Sequence, residues 1–499
     1  MNYTSIINNQ TIPVSQIPEI SYDAFHELNA GFVTDSSERH CVNYFGYPAG
    51  NKIKLICCIA DDPNHVIYIS SCLVESTDNL ASLSSGIFCF EKFEREIHEN
   101  FGINFTGHPW LKPVRYAHDR SDIRQTIANY PFYAIDSEEL HEVGVGPIHA
   151  GVIEPGHFRF ICNGEQILHL EIQLGYQHRG IESLLLQKKR LPERIALAES
   201  ITGDNVVGHT VAFSSVWESL CGFRAPVEIE FSRTVALELE RIAVHTGDLS
   251  AACADVAYQL GGAVFGRLRT PIVNFLQEWG GNRLAKGLIR PGLNQYPFTP
   301  DLAQRLLEIL NPFEHDFNEM NAELFKMPSA LSRFERTGIL LNENALSIGT
   351  VGMAARASGL NRDIRTSHPN ALYRELHHEP IIKHHGDVYS RLQIRKEEVR
   401  QSVKYLRELM AKVPDCSAKP ESMGSPEPDS FALSLTEGWR GEICHCAITD
   451  ATGDLILYKI KDPSFHNWLA LALSVRNNEI SDFPICNKSF NLSYCGHDL

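Results

Sequence analysis

The sequence predicts an α+β fold in which a small N-terminal α+β domain precedes a large, mainly helical domain with short β-sheets. Near the N-terminus, apolar runs at 53–60 and 65–73 alternate with polar breaks and lead into an amphipathic stretch at 90–101. Farther along the chain, apolar residues recur at the spacing of a helix. They do so in four segments: 227–249, 271–288, 299–320 and 391–413.

A segment rich in charge and without clear periodicity separates the two parts. It covers residues 116–142 and is typical of a connection between domains. We therefore expect one domain at residues 1–115 and a second at 143–499.

Short β-structure is expected inside the larger domain. Residues 158–161 and 167–174 predict strands, and residues 443–449 with 454–461 predict a β-hairpin. The stretch 414–430 is rich in Pro, Ser and Asp, which predicts an exposed loop.

Composition excludes several classes of protein. The 499 residues carry 45 Lys and Arg against 61 Asp and Glu, a formal net charge of -16, which disfavours a nucleic-acid partner. No segment has about 20 apolar residues free of charge, so we expect membrane contact only through partner subunits. The 13 cysteines lie at irregular spacings, which favours reduced and mostly buried thiols over a disulfide framework.

One motif in the N-terminal part resembles a known family. Residues 93–109 read FEREIHENFGINFTGHP, a charged helix that ends at Gly102 and is followed by a Gly-His-Pro turn. This run is similar to the signature of the 30-kDa subunit of complex I.

The larger domain resembles the 49-kDa subunit of complex I and the large subunit of group 4 membrane-bound nickel-iron hydrogenases. Six elements appear in the order of that family: 146–157 (GPIHAGVIEPGH), 175–182 (GYQHRGIE), 238–245 (ELERIAVH), 290–292 (RPG), 355–359 with 363–365 (ARASG, DIR) and 437–442 (EGWRGE). The fusion of both domains in one chain further resembles formate-hydrogenlyase-type large subunits. The pair Glu154-Pro155 is more similar to the hydrogenase branch than to the complex I branch.

The resemblance implies four cysteine ligands that this chain lacks. Members with a nickel-iron centre supply them as two CxxC pairs, because soft thiolates suit these metals. At the four matching positions this chain has Thr202, Asn205, Ser464 and Asn467. We therefore expect a hydrogenase-related paralogue in which these are vestigial metal-ligand positions, with no metal held by the chain.

The quinone ligands of complex I, a His and a Tyr, are also missing by alignment. The His position falls on Ile153 and the Tyr position on Gly203. His149 or His157, in the same loop as Ile153, is the alternative that would replace the missing His.

A zinc site formed by Cys444, His445 and Cys446 is a separate alternative to a structural role for these residues. A CxC sequence next to a strand favours the structural role.

Polar residues near the replaced positions predict a cavity with acid–base chemistry. The candidate catalytic residues are Glu154, His149, Asp204, His209 and His466, with Asn205 and Ser464 beside them. Neighbouring carboxylates and imidazoles can relay protons near neutral pH. The alternative is a decayed site filled by hydrogen bonds and water.

Three functions follow from the resemblance. The first is a subunit of a membrane-associated, ion-translocating oxidoreductase complex that receives electrons from an adjacent iron-sulfur subunit. The second is a catalytically silent scaffold that couples protons, and the third is an NADH-quinone oxidoreductase or hydrogenase activity with non-standard ligands.

The same resemblance implies partners and location. The partners are an iron-sulfur small subunit, a ferredoxin-like subunit and antiporter-like membrane subunits. The location is peripheral, on the cytoplasmic side of the membrane. An iron-sulfur cluster is expected in a partner and no cofactor in this chain itself, with quinone as one alternative for the electron acceptor.

Overall fold

The structure, a computed structural model, describes residues 2–151, 153–415 and 422–499. It contains helices together with antiparallel and mixed sheets, which agrees with the predicted α+β class. Part of the predicted loop at 414–430, namely residues 416–421, lies outside the described residues. Residues 422–429 contain no helix or strand.

The N-terminal part is a sheet covered by two helices. Its strands alternate apolar and polar residues or are rich in Ile, Val and Cys, which suits a pleated and buried surface. The elements are β1 (Thr4–Ile6), β2 (Gln10–Pro13), β3 (Glu19–Ile20), α1 (Tyr22–Thr34), β4 (Arg39–Ala49), β5 (Lys52–Asp61), β6 (Val66–Val74), β7 (Asn79–Ala81), α2 (Glu91–Phe101) and β8 (Asn104–Thr106). Strands β1, β6, β5 and β4 are antiparallel neighbours in that order, and β3 runs parallel to β6.

Helix α2 confirms the amphipathic stretch of the sequence. It ends at Phe101 because Gly102 adopts φ +78°, a left-handed conformation that glycine accepts readily. The backbone N–H of Gly102 donates to the carbonyl of His98.

A second sheet of three strands follows the connecting segment. Its strands are β9 (His141–Val145), β10 (His157–Asn163) and β11 (Gln166–Gln173), ordered β11-β10-β9 and antiparallel. The two predicted strands correspond to β10 and β11. Strand β9 begins at His141, inside the connecting segment 116–142. The last two residues of that segment therefore already belong to the sheet.

Helices dominate the middle of the larger part. They are α3 (Ile181–Gln187), α4 (Leu191–Ala198), α5 (Val206–Leu220), α6 (Val227–Asp255), α7 (Gln259–Gly280), α8 (Pro300–Leu324), α9 (Pro328–Phe334), α10 (Asn342–Ser347), α11 (Gly352–Ala357), α12 (Ile364–Ser367), α13 (Ala371–Glu375) and α14 (Val388–Met410). The four predicted helices correspond to α6, α7, α8 and α14. The predicted segment 271–288 was misplaced, since α7 starts at Gln259, continues through Pro271 and ends at Gly280.

The C-terminal part contains a four-stranded sheet and three helices. The elements are β12 (Ser430–Glu437), β13 (Glu442–Thr449), β14 (Leu455–Lys461), α15 (Ser464–Ser474), α16 (Phe483–Phe490) and α17 (Tyr494–Asp498). The predicted hairpin is β13 and β14. The sheet order is β14-β13-β12-β2, so a strand from the N-terminal part completes it.

Two hydrophobic cores explain how these parts meet. The larger core is formed mainly by α6, α7, α8 and α14, with residues such as Leu239 and Leu406 buried between helices. A second core packs the N-terminal sheet against the C-terminal one, where Ile56 and Ile67 share a cluster with Phe431. In the part of the chain that is described, no helix is long and apolar enough to cross a membrane.

Candidate functional site

The four positions that would carry metal-binding cysteines lie at the starts of two helices. Thr202 lies shortly before α5, and Asn205 is the residue directly before the first residue of that helix. Ser464 and Asn467 belong to the first turn of α15. All four side chains are buried. We refer to these residues as the four replaced positions.

The C-terminal segment packs directly against two of them. The N–H of Ser493 donates to Ser464 Oγ at 2.9 Å. A β-carbon placed on Gly496 would lie 2.6 Å from Thr202 Cγ2 and 2.7 Å from Asp462 Cγ. Helix α17 therefore occupies the space between the two helix starts, and only a glycine fits at its closest approach.

Further hydrogen bonds hold the end of the chain in place. The backbone N–H groups of Gly175 and Gln177 donate to the Asp498 carboxylate at 2.9 and 2.8 Å. The N–H groups of Arg179 and Gly180 donate to Leu499 O. The segment 175–182, one of the six family elements, thus binds the C-terminal residues.

The four replaced positions differ in the hydrogen bonds that their side chains form with described residues. The side-chain amide of Asn467 accepts from Val351 N–H at 3.2 Å and donates to Val351 O at 3.1 Å, and Ser464 has its bond to Ser493. Thr202 Oγ1 and both amide atoms of Asn205 have no hydrogen-bond partner among the described residues.

These residues do not fit a nickel-iron centre. Hydroxyl and carboxamide groups are neutral, hard ligands, whereas such a centre needs four soft thiolates. Cys495 is the one thiol in the segment that packs on the replaced positions, and burial raises its pKa to about 11, with the nearby Glu154 carboxylate adding to the shift. A single protonated thiol does not replace four thiolates.

A chain of hydrogen bonds runs through His209, one of the predicted catalytic residues. Tyr458 Oη lies 2.9 Å from His445 Nδ1, His445 Nε2 lies 3.1 Å from His209 Nδ1, and His209 Nε2 lies 3.0 Å from Asp462 Oδ2. All four residues are buried. We call them the Tyr458–Asp462 chain.

Electrostatics favour an anionic Asp462 and a neutral His445 in this chain. Burial would raise the pKa of Asp462, but the hydrogen bond and charge of His209, together with Arg440, hold it below its ordinary value. Burial and the neighbouring His209 lower the pKa of His445 far below its usual range. The chain therefore joins a carboxylate to a neutral imidazole and a phenol, which is an arrangement that can transfer a proton along hydrogen bonds.

Asp204 is engaged in a different interaction. Its carboxylate forms a two-fold contact with Arg440, with both N–O distances at 2.6 Å, and its side chain is 41% exposed. Asp204 O accepts a hydrogen bond from Trp439 Nε1 at 2.7 Å. This residue anchors the turn between β12 and β13 to the start of α5.

His149 and Glu154 lie in the loop between β9 and β10. His149 Nε2 is 2.8 Å from Gly156 O, and His157 Nδ1 is 3.2 Å from Gly146 O, so both candidate quinone ligands bind carbonyls of their own loop. Ile153, at the aligned position of the complex I His, is half exposed. Glu154 is half-buried and meets the C-terminal helix at Cys495.

His466 is buried on the side of the N-terminal domain. Its ring packs edge-on against Phe93, with ring centroids 4.9 Å apart, and Nε2 has no partner among the described residues. Burial lowers the pKa of His466 far below its usual range. The structure thus brings His209 together with Asp462, but it places His149, Asp204 and His466 in three other environments.

The geometry at Cys444 and Cys446 disfavours the zinc alternative. Their sulfur atoms lie 3.7 Å apart on one face of β13, and Asn43 Nδ2 lies 3.8 Å from each. His445 points to the opposite face, as alternate residues of a strand do, and binds His209 and Tyr458. Both thiols belong to the core between the two sheets.

Comparison with known families agrees with this architecture. Residues 20–122 match the model of the respiratory-chain NADH dehydrogenase 30-kDa subunit, and residues 262–498 match that of the 49-kDa subunit. Together the two matches cover more than half of the chain, in the order predicted from the motifs.

Individual relatives extend the comparison to hydrogenases. The chain is 27% identical to hydrogenase-4 component G of Escherichia coli over 418 residues, covering 80% of this chain and 72% of the relative. It is 28% identical to formate hydrogenlyase subunit 5 of the same organism over 422 residues, covering 80% and 74%. The chain is a fused large subunit of the complex I and group 4 hydrogenase superfamily. A further relative of the fused type, the C/D protein of NADH-quinone oxidoreductase from Phocaeicola vulgatus, is 26% identical over 425 residues, covering 78% and 81%.

Sequence reasoning missed three members of the Tyr458–Asp462 chain of this fused large subunit. Asp462 is visible beside Ser464 in the motif Asp-Pro-Ser, so its position next to a replaced ligand was the available signal. His445 entered the sequence-based expectations only as a zinc ligand. Nothing local in the sequence pairs Tyr458 with His445, because their contact depends on the register of β13 with β14.

Proposed function

We propose that this chain is the fused large subunit of a membrane-associated, ion-translocating oxidoreductase complex and that it holds no nickel-iron centre. In this proposal an adjacent iron-sulfur subunit delivers electrons to the region of the replaced positions. A ferredoxin-like subunit and antiporter-like membrane subunits complete the complex, and the chain lies peripherally on the cytoplasmic side. The relatives, which are components of hydrogenase, formate hydrogenlyase and NADH-quinone oxidoreductase, support the assignment to such a complex.

The replaced positions carry the argument against an active hydrogenase of the usual kind. Four neutral side chains take the places of four thiolates, and α17 fills the space between them. The Tyr458–Asp462 chain is the feature that remains suited to chemistry, since it can hold and move a proton next to that space.

Purification of the intact complex from native membranes tests this function. We expect the chain to co-purify with an iron-sulfur protein, and elemental analysis to find iron but no stoichiometric nickel. Recovery of the chain alone would contradict the assignment to a complex. Stoichiometric nickel that depends on this chain would instead support the hydrogenase alternative.

A scaffold that couples protons without accepting electrons is the second candidate. It is favoured by the hydrogen bonds that His149 and His157 make within their own loop, because each neutral imidazole then donates its single N–H to a backbone carbonyl and not to an electron acceptor. Substitution of His209 by Gln in the complex separates the candidates. Under the main proposal turnover and ion transport fall together, whereas a silent scaffold leaves turnover unchanged.

His26→Gln is a suitable control for this experiment. His26 lies in α1 of the N-terminal domain, half-buried, and its ring lies 3.4 Å from Ser82 O and beside the ring of Tyr22. We expect this variant to keep both turnover and ion transport. A loss equal to that of His209→Gln would show that histidine substitution acts through general destabilisation.

A further inference from the structure

A large cavity lies apart from the replaced positions, none of which lines it. Its volume is about 880 Å³, within the range of roughly 300–1,000 Å³ that is usual for small-molecule sites. Strand β11, helix α15 and helix α2 form its walls. Much of the lining is aliphatic: Leu170, Ile172, Ile348, Leu469 and Leu473.

The connecting segment closes one side of this cavity and leaves an apolar rim. Tyr130, Tyr133 and Ile135 from that segment line it. Tyr133 is 53% exposed, and Ile135 and Trp110 are also exposed at the surface. An apolar cavity with an apolar, solvent-facing rim is suited to a ligand that carries a hydrocarbon chain.

The cavity also contains an unusual buried cation, Lys92. Its Nζ lies 3.3 Å from His497 Nε2, and it forms no ion pair with a carboxylate of the described residues. Burial lowers the pKa of Lys92 to about 7, and the neighbouring Arg95 and Arg115 oppose its charge further. An anion beside Lys92 would stabilise the ammonium form.

The remaining charges of the lining are mostly paired with one another. Glu91 binds Arg95 at 2.7 Å, and Lys112 binds Glu171. Among the described residues that line the cavity, four side chains are Lys or Arg and two are Glu. This excess of positive charge contrasts with the formal charge of -16 for the whole chain.

We propose that this cavity binds an amphipathic anion, with its hydrocarbon chain against the aliphatic wall and its carboxylate or phosphate at Lys92. The shared chemistry is an anionic headgroup on an acyl chain, supplied either by a free fatty acid or by a membrane phospholipid. This site is independent of the function proposed for the replaced positions.

Tryptophan fluorescence gives a direct test because Trp110 and Trp468 both line the cavity, out of five tryptophans in the chain. Bromine atoms on an acyl chain quench tryptophans that they touch. We expect a brominated long-chain carboxylate to quench the purified full chain in a saturable manner. The trimethylammonium compound with the same brominated chain should bind at least tenfold more weakly. Equal quenching by both compounds would overturn the proposal.

The source of the anion is resolved by a further arm of the experiment. Vesicles of brominated phosphatidylglycerol present the same chains in a membrane. Quenching by the free carboxylate alone identifies a fatty-acid site, and quenching by vesicles as well identifies a phospholipid site. Saturable quenching by neither source overturns the proposal.

Two variants test the position of the headgroup and of the chain. Lys92→Met should weaken binding of the carboxylate at least tenfold, whereas Lys189→Met should leave it unchanged, since Lys189 is 63% exposed and pairs with Asp454 outside the cavity. Ile172→Phe fills the aliphatic part of the cavity without adding a tryptophan. It should weaken binding of the brominated carboxylate and of the trimethylammonium compound alike. Unchanged affinity in Lys92→Met or in Ile172→Phe, with the fold intact by circular dichroism, would overturn the proposal.

Discussion

Two buried polar clusters of the larger domain differ in how they are compensated. Around Glu398, the carboxylate accepts from Arg356 and Arg365 at 2.6 and 2.8 Å and lies 2.7 Å from His245 Nε2. At the four replaced positions the side chains are neutral, and two of them, Thr202 and Asn205, lack partners among the described residues. The first cluster pairs its buried charges with one another, whereas the side chains of the second carry no charge.

This difference shows which residues the fold depends on. Burial would raise the pKa of Glu398, but three arginines hold it far below its ordinary value, so the carboxylate and its partners form one unit. Removing one member leaves buried charge without compensation. The neutral side chains of the four replaced positions have no charge to compensate, and the C-terminal segment packs against two of them.

The largest effect is expected for Glu398→Gln. The neutral amide removes the carboxylate charge that Arg356 and Arg365 share, so the buried positive charge loses part of its compensation, which typically costs about 3–5 kcal/mol. Unfolding by denaturant should therefore show a large drop in the midpoint. The neighbour Glu397→Gln is the control, because its partly exposed ion pairs with Lys396 and Arg400 contribute at most about 1 kcal/mol. Similar losses in both variants would show that the Glu398 cluster is not a unit.

Lys92 sharpens the comparison because it is a buried charge without a paired carboxylate among the described residues. Its folded pKa of about 7 lies below the usual value for lysine of about 10.4, so the unfolded state binds more protons between these values. Stability should then rise with pH through that window. We expect Lys92→Met to stabilise the fold by about 2–4 kcal/mol at pH 7, and the gain to shrink towards pH 10.

The measurement for Lys92 is unfolding by denaturant at several pH values. Lys189→Met serves as the matched control, since the exposed ammonium of Lys189 should give the same small change at every pH. A Lys92→Met variant that is less stable than the parent at pH 7 would show that the ammonium is compensated after all.

Within the four replaced positions, Asn467→Ala is expected to have the larger effect. Its amide satisfies both the N–H and the carbonyl of Val351, and these backbone groups are left unpaired when the amide is removed. The expected loss is about 1–3 kcal/mol. Thermal unfolding of the variant checks it, and no loss would indicate that water replaces the amide.

The smallest effect is expected for Thr202→Val. The Thr202 hydroxyl is buried without a partner among the described residues, so an isosteric methyl group should be neutral or stabilising by up to about 1 kcal/mol. The comparison is Thr210→Val, which removes a hydroxyl that donates to Val206 O at 2.6 Å and should cost about 1 kcal/mol. Equal losses in the two variants would reveal a hidden partner of Thr202.

Much of the fold could be predicted because its patterns are local. The helices α6, α8 and α14 and the hairpin of β13 and β14 follow from apolar spacing over short stretches. Strand β12 was missed although Phe431, Leu433 and Leu435 alternate with small or polar residues, the signal of a strand. The predicted loop ends at residue 430, where this strand begins, and no element was predicted for residues 431–436.

The site was predicted in part. The motifs singled out His209 and the four replaced positions, but they did not show that α17 would pack between the two helix starts. The predicted polar lining assumed that flanking residues share one cavity. His466 and Asp204 instead face Phe93 and Arg440, because residues one or two positions apart on a helix or turn point in different directions.

The sequence by itself determined the family and the order of its two matched regions, and it predicted four neutral residues at the aligned ligand positions, since these depend on residue identity within continuous motifs. Only the tertiary structure decided that β2 completes the C-terminal sheet, that Tyr458 and His445 extend the chain from His209, and that Lys92 is buried beside His497. Such contacts join residues that are far apart in the chain. They are set by the burial of apolar surface and the pairing of polar groups across the whole fold, which no local pattern encodes.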